Sequence, residues 1–136
     1  MSGSGMRAWV VMGVSGCGKS EIGARLAQAL GAALMQRVLA ETPDCDAVFF
    51  CNDDLAHGAI FHCQRAGIPV PGRVAVAGFN DLPASSLMVP SLTTVDTPRY
   101  QVGYQAASLL LDLIAGKPPK ARRIDLGFTL RERESA

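Results

Sequence analysis

The sequence predicts an α/β fold in which a mostly parallel sheet is flanked by helices. Three observations carry that expectation. Short apolar runs alternate along the chain with stretches of helical periodicity, the pattern of repeated β-α steps. Apolar residues make up 49% and charged residues 18% of the 136, enough to bury one real core in a chain too short for a two-lobed enzyme. Fourteen glycines and eight prolines punctuate the runs where one element hands over to the next.

Arg7 to Met12 reads as a buried strand, and the glycine-rich residues 13 to 18 lead into a helix from about Lys19. Gly31 is expected to stop or kink that helix before a second helical stretch, Ala32 to Glu41, which Thr42-Pro43-Asp44 ends. Ala47 to Cys51 is the second strand. Asp53 or Asp54 can cap the following helix, whose Leu55, Ala59, Ile60 and Cys63 share a face, and Gly67 terminates it. A turn-rich connector, Ile68-Pro69-Val70-Pro71-Gly72, leads to a third strand, Val74 to Ala77, and Leu92 to Val95 makes a short fourth. Thr97 and Pro98 have the character of an N-cap and a first helical residue. In the helix beyond them Val102, Ala106, Leu109, Leu110, Leu113 and Ile114 recur at the spacing of a helix lying on a sheet, and Gly116 with Pro118 closes it. Ile124 to Phe128 is the expected last strand and Arg131 to Ala136 a solvated tail.

A formal charge of +1 supplies no broad field for a polyanion, so direct DNA binding is not expected. Apolar stretches such as Ala47 to Cys51 and Leu109 to Ile114 fall far short of the roughly 20 residues that span a bilayer. Residues 1 to 5 lack the basic start of a secretory signal, and a cytoplasmic location is expected. Cys17, Cys45, Cys51 and Cys63 have no C-x-x-C spacing and read as free thiols. Cys51, His57, His62 and Cys63 crowd together, but His57 and His62 are five apart and face different ways on a helix, so they read as packed or surface residues, not metal ligands. Lys117, Lys120, Arg122 and Arg123 form a basic cluster that Pro118-Pro119 and Asp125 mark as a solvated turn.

Residues 13 to 20, Gly-Val-Ser-Gly-Cys-Gly-Lys-Ser, match G-x-x-x-x-G-K-[ST] in the required place, after a strand and at the start of a helix. Glycines at 13, 16 and 18 let consecutive backbone N–H groups and the helix N-terminus converge on phosphate oxygens. Lys19 would add a charge to the β- and γ-phosphates and Ser20 a hydroxyl to Mg²⁺, which makes ATP and Mg the candidate cofactors. The bland alternative is a glycine-rich turn between strand and helix. A dinucleotide fingerprint fits less well, because it needs a third glycine where Glu21 stands. Residues 7 to 33 resemble the start of the gluconokinase family of P-loop sugar-acid kinases. That family would continue into an Asp-Gly-Asp segment and an arginine-bearing lid, whereas this chain reads Leu-Met-Gln-Arg-Val-Leu-Ala-Glu from residue 34. A cradle without acceptor site or lid arginines binds nucleotide at best, so catalysis is not expected. Asp53 or Asp54 after the second strand could reach a metal in Walker B fashion, but helix capping explains the same acids.

From about Leu34 the chain resembles the effector-binding region of the lactose-repressor (LacI) family, whose fold is similar to periplasmic sugar-binding proteins. The likeness rests on residues 43 to 58, on Gly67-Ile68-Pro69-Val70-Pro71, on Val74 to Asp81, on Leu92-Thr93-Thr94-Val95 and on the helix Val102 to Gly116. It implies an effector at the strand C-termini, with polar contacts at Asn52, Asp53 and Asn80, positions where amides can donate to and accept from sugar hydroxyls. The plainer reading is that Asn52 and Asn80 only cap helices or turns. Position 80 departs from the family's usual Gly-Phe-Asp-Asp. A neutral Asn80 avoids repulsion against an anionic ligand such as gluconate. Most of the family's first lobe and its helix-turn-helix have no counterpart here.

The sequence therefore reads as a hybrid: a P-loop strand-loop-helix unit over 1–33 and a partial LacI-type sugar-sensor domain over 34–136, together one three-layer domain. The expected function is a truncated LacI-type effector-binding module for a sugar acid such as gluconate, with a P-loop ATP-binding protein as the alternative. Apolar edges left by the missing lobe favour a homo-oligomer.

Overall fold

The computed structural model describes residues 8–11, 21–117, 121 and 123–136. The elements run β1 (Ala8–Val11), α1 (Glu21–Glu41), β2 (Ala47–Phe50), α2 (Asp53–Arg65), β3 (Ala75–Phe79), β4 (Thr93–Asp96), α3 (Arg99–Ile114) and β5 (Thr129–Arg131). The strands lie side by side in chain order, β1-β2-β3-β4-β5. The first four are parallel, with Ala8 beside Ala47, Ala47 beside Ala75 and Ala77 beside Thr93, and β5 runs antiparallel to β4 with Arg131 beside Thr94. The mostly parallel α/β sheet flanked by helices is thus the architecture.

One face of the sheet makes the core. Val48, Phe50 and Val76 point into it and meet Leu55, Ala56, Ala59, Ile60 and Cys63 of α2 and Met35 and Val38 of α1. Burying each large side chain contributes about 1.5–3 kcal/mol. The α2 helix is fixed at both ends by local chemistry. The Asn52 carboxamide oxygen, rather than Asp53 or Asp54, accepts from the Leu55 N–H at 2.9 Å, and the two acids occupy the first turn where the helix dipole favours them. Gly67 takes φ 67°, which lets Ile68 N–H reach the Cys63 carbonyl at 2.8 Å and its own N–H the Gln64 carbonyl at 3.2 Å, a Schellman ending. Gly116, at φ 72°, closes α3 the same way, with Lys117 N–H on the Asp112 carbonyl at 2.8 Å.

Five expectations are corrected. Gly31 neither stops nor kinks its helix: α1 runs unbroken from Glu21 to Glu41, across residues 33 and 34. A Cβ at Gly31 would lie 2.0 Å from the Leu55 carbonyl oxygen, and one at Gly58 would lie 1.9 Å from that of Gln28, so the two glycines exist for the close crossing of α1 and α2. The N-cap of α3 is Pro98, without a side-chain cap bond, and Thr97 lies outside. No residue of α3 is buried, so it does not lie on the sheet as its spacing implies. The last strand is Thr129–Arg131, not residues 124 to 128, and the segment after it is no solvated tail. Ser135 is buried, donates to the Val76 carbonyl at 2.6 Å and accepts from Thr93 N–H at 2.8 Å. Ser91 donates to the Glu134 carboxylate through its N–H (2.8 Å) and its hydroxyl (2.9 Å), which holds that carboxyl below its ordinary range.

Candidate functional site

The C-terminal ends of β2, β3 and β4 form one edge of the sheet, and the loops leaving it carry the expected site residues. Open α/β sheets bind ligands at this edge. Asn52 follows β2 and Asn80 follows the neighbouring β3, so the parallel register brings both there; each is half-buried. Asn80 N–H donates to the Val95 carbonyl at 2.9 Å, which ties it to β4. Asn80 and Asp81 both have positive φ, 116° and 47°. Such conformations cost on the order of 1–3 kcal/mol each in a non-glycine residue, and asparagine and aspartate tolerate them best.

The surroundings of that turn are built to hold it. Asp53 is fully buried, and its carboxylate accepts from Thr94 Oγ1 at 2.6 Å, from Ser85 Oγ at 2.6 Å and from Leu82 N–H at 2.7 Å. It therefore joins the start of α2 to β4 and to the loop beyond Asn80. Gly78 makes the room, since a Cβ there would lie 2.4 Å from Asp53 Oδ1. Because the Ser85 hydroxyl proton goes to Asp53, Ser85 Oγ accepts from His57 at 2.9 Å, which places a proton on His57 Nε2. Burial pushes the His57 pKa down, against the opposite pull of Asp53 and Asp54. On the other side of the turn Asp81 meets Arg133 at 2.7 Å and Arg131 at 3.7 Å, and Arg131 also meets Asp96 at 2.8 Å.

The structure thus brings Asn52, Asp53 and Asn80 to one edge but gives them different surroundings. Asn52 spends its oxygen on the helix cap and keeps its amide N–H₂; Asp53 spends its carboxylate inside the protein. Sequence reasoning missed Arg131, Arg133, Thr94 and Ser85. The first two fell in the presumed tail, and the other two are ordinary strand and loop residues until the fold sets them against Asp53. Gly13, Gly16, Gly18, Lys19 and Ser20, as well as Cys17, Lys120 and Arg122, lie outside the described residues.

Among the described residues no group of three or more His, Cys, Asp or Glu side chains could hold a metal ion, and no helix is long and apolar enough to cross a membrane. Cys45 and Cys63 are buried free thiols, and burial pushes Cys63 up to about 11, which leaves it a packing residue. His57 is likewise packed, and His62 lies in a groove of about 680 Å³ between α1 and α2 with Arg25, Arg65 and Phe61.

Comparison with known proteins agrees with this geometry. A family model described as a periplasmic binding protein-like domain matches residues 9–136. The transcriptional regulator GntR of Pseudomonas aeruginosa is 51% identical over 107 residues, which are 79% of this chain and 31% of that protein. The regulator IdnR of Escherichia coli K12 is 40% identical over 74% of this chain and 30% of its own length. The crystal structure of GntR from Chromobacterium violaceum superposes with a TM-score of 0.74 at 55% identity, covering 79% of this chain and 40% of that one. A CelR–cellobiose complex gives 0.74 at 34% identity over 80% of this chain and 33% of that one. The chain spans about a third of the length of these curated regulators. The gluconokinase resemblance of residues 7 to 33 finds no support among them, and the family match runs through the glycine-rich segment itself.

Proposed function

Because the chain belongs to the periplasmic binding protein-like domain family, we propose that it is part of the effector-binding module of a LacI-type transcriptional regulator that responds to a sugar acid such as gluconate. The observation that carries this reading is the pair Asn52 and Asn80 on adjacent parallel strand ends, one with a free amide donor and the other where a carboxylate would be usual. Two like charges about 4 Å apart repel by roughly 1 kcal/mol in water and roughly 4 kcal/mol at the effective dielectric of a protein surface. A neutral Asn80 removes that cost for an anionic ligand. Asp81, Asp96, Arg131 and Arg133 around it sum to no net charge. Asn52 and Asn80 are the proposed effector contacts; Asp53 serves them by holding the loop that follows Asn80. Two of the similar regulators bear the names GntR and IdnR, which favours a sugar acid. A cytoplasmic location accords with that role.

A second reading rests on sequence: Gly13 to Ser20 bind a nucleotide phosphate, with Mg²⁺ at Ser20, and residues 1–33 form a unit distinct from 34–136. Titration calorimetry separates the two. The effector reading expects heat with gluconate, weakened by Asn80→Asp and untouched by Lys19→Ala. Heat with Mg-ATP alone, abolished by Lys19→Ala, would replace the first reading by the second.

A further inference from the structure

We infer that the candidate edge continues past Asn80 into the cleft between the end of β4 and the start of β5, where Asp96 and Phe128 hold the hydroxylated tail of the effector. This rests on the sugar-acid reading above and adds to it which end of the ligand lies where. The strand register carries the row across the sheet. Phe79 stands beside Val95, so Asn80, one residue on, comes level with Asp96, and Asp96 stands beside Thr129. Neighbouring strands are about 4.8 Å apart, so the ends of β2, β3 and β4 fall within about 10 Å, a span that one small ligand bridges. Beyond them lies a cleft of about 210 Å³ lined by Asp96, Pro98, Leu126, Gly127, Phe128 and Thr129. Local bonds shape its far wall: the Asp125 carboxylate accepts from Gly127 N–H at 2.8 Å, and Gly127 turns the chain at φ 70°.

The chemistry of the row is graded from donor to acceptor. Asn52 keeps its amide N–H₂ at one end, and Asp96 offers only acceptors at the other. Arg131 donates to Asp96 Oδ2 through Nη2 at 2.8 Å and Nε at 3.3 Å, and among the described residues nothing donates to Oδ1. A sugar acid has the matching polarity, because its carboxylate only accepts and its hydroxyls can donate. Its carboxylate therefore belongs with the asparagines, away from the like charge of Asp96, and its hydroxyls belong at Asp96 Oδ1. Phe128 completes the fit. Its ring is 74% exposed although it lines the cleft that holds that carboxylate. An apolar ring beside one fixed acceptor suits a polyol chain, with C–H groups over the ring and hydroxyls toward the oxygen. The cleft is smaller than the roughly 300 Å³ at which whole small-molecule sites begin, as a subsite for one end of a ligand should be.

Saturation-transfer NMR of gluconate on the unaltered 136-residue chain tests this, with irradiation of the aromatic side-chain protons. The expected result is a gradient along the ligand, strongest at the hydroxymethyl end and weakest beside the carboxylate. Phe128→Ala should erase that gradient and raise the gluconate dissociation constant about 3- to 10-fold, whereas Phe128→Tyr should keep both. An unmoved urea midpoint in Phe128→Ala separates loss of a contact from loss of the fold. Uniform transfer along gluconate, a gradient strongest beside the carboxylate, or one that Phe128→Ala leaves unchanged overturns the inference. If Asn80→Asp still weakens gluconate in that case, the effector reading stands without it. A chain that gives gluconate no saturation and shows no amide shifts removes the effector reading and this inference together. Because the gradient is read on the unaltered chain, a variant that unfolds does not rescue a failed prediction.

Discussion

Asp53 is the residue on which the candidate edge turns. It is a buried carboxylate with three donors, and removing it leaves Thr94, Ser85 and the Leu82 N–H without their partner in a dry place. Asp53→Ala should lower the stability measured by urea unfolding by about 3 kcal/mol or more with no ligand present; a loss under about 1 kcal/mol would mean the network is not what holds the loop. His57 sits at the far end of that network and titrates below its ordinary value because it is buried. The unfolded chain therefore takes up a proton that the folded chain resists, so this contribution is complete above pH 6.5, the ordinary histidine value, and is lost as pH falls toward the folded value. Urea midpoints should drop as pH is lowered below about 6.5, and His57→Gln should flatten that part of the profile. At this scale the sequence was half legible. Asn52 and Asn80 are visible as polar residues after apolar runs, but a buried aspartate, a serine and a threonine separated by 32 and 41 positions cannot be joined without the fold.

Among the elements, the α1–α2 crossing is the clearest case of packing overriding local preference. An isolated helix gains roughly 1 kcal/mol when an interior glycine becomes alanine. At Gly31 and Gly58 the sign should reverse, because the new methyl would meet backbone 2.0 Å and 1.9 Å away, which no rotamer relieves. Gly31→Ala and Gly58→Ala should each cost about 1–3 kcal/mol, read as a lowered urea midpoint; a stabilised variant would show that the helices are free to part. Reading Gly31 as a helix stop followed from its local cost, and only the neighbouring backbone explains why it is mid-helix. Helix ends were more legible. Gly67 and Gly116 mark their termini because a left-handed residue is needed there whatever the helix packs on. The α3 helix went the other way: its apolar spacing is real, but spacing alone does not say whether the surface that covers it belongs to the same molecule.

For the whole molecule, four parallel strands and one antiparallel strand follow from alternating apolar runs and helical stretches, which is why the fold class was readable from the chain. The return of the last residues across β4 was not, because Arg131 to Ala136 carry charges that look solvated until Arg133 meets Asp81 and Ser135 enters the core. That return helps complete the edge at which the two asparagines stand. Taken by itself this edge covers one side of a ligand, so the affinity of the 136-residue chain for a sugar acid should be weak, in the millimolar range, about −4 kcal/mol. The most direct test is to follow backbone amide resonances of the ¹⁵N-labelled chain during titration with gluconate and with the neutral sugar glucose. The account predicts shifts confined to residues 51 to 54, 79 to 82, 95 to 97 and 127 to 129, with gluconate favoured over glucose and that preference lost in Asn80→Asp. Shifts elsewhere, or a gluconate preference unchanged by Asn80→Asp, would contradict it.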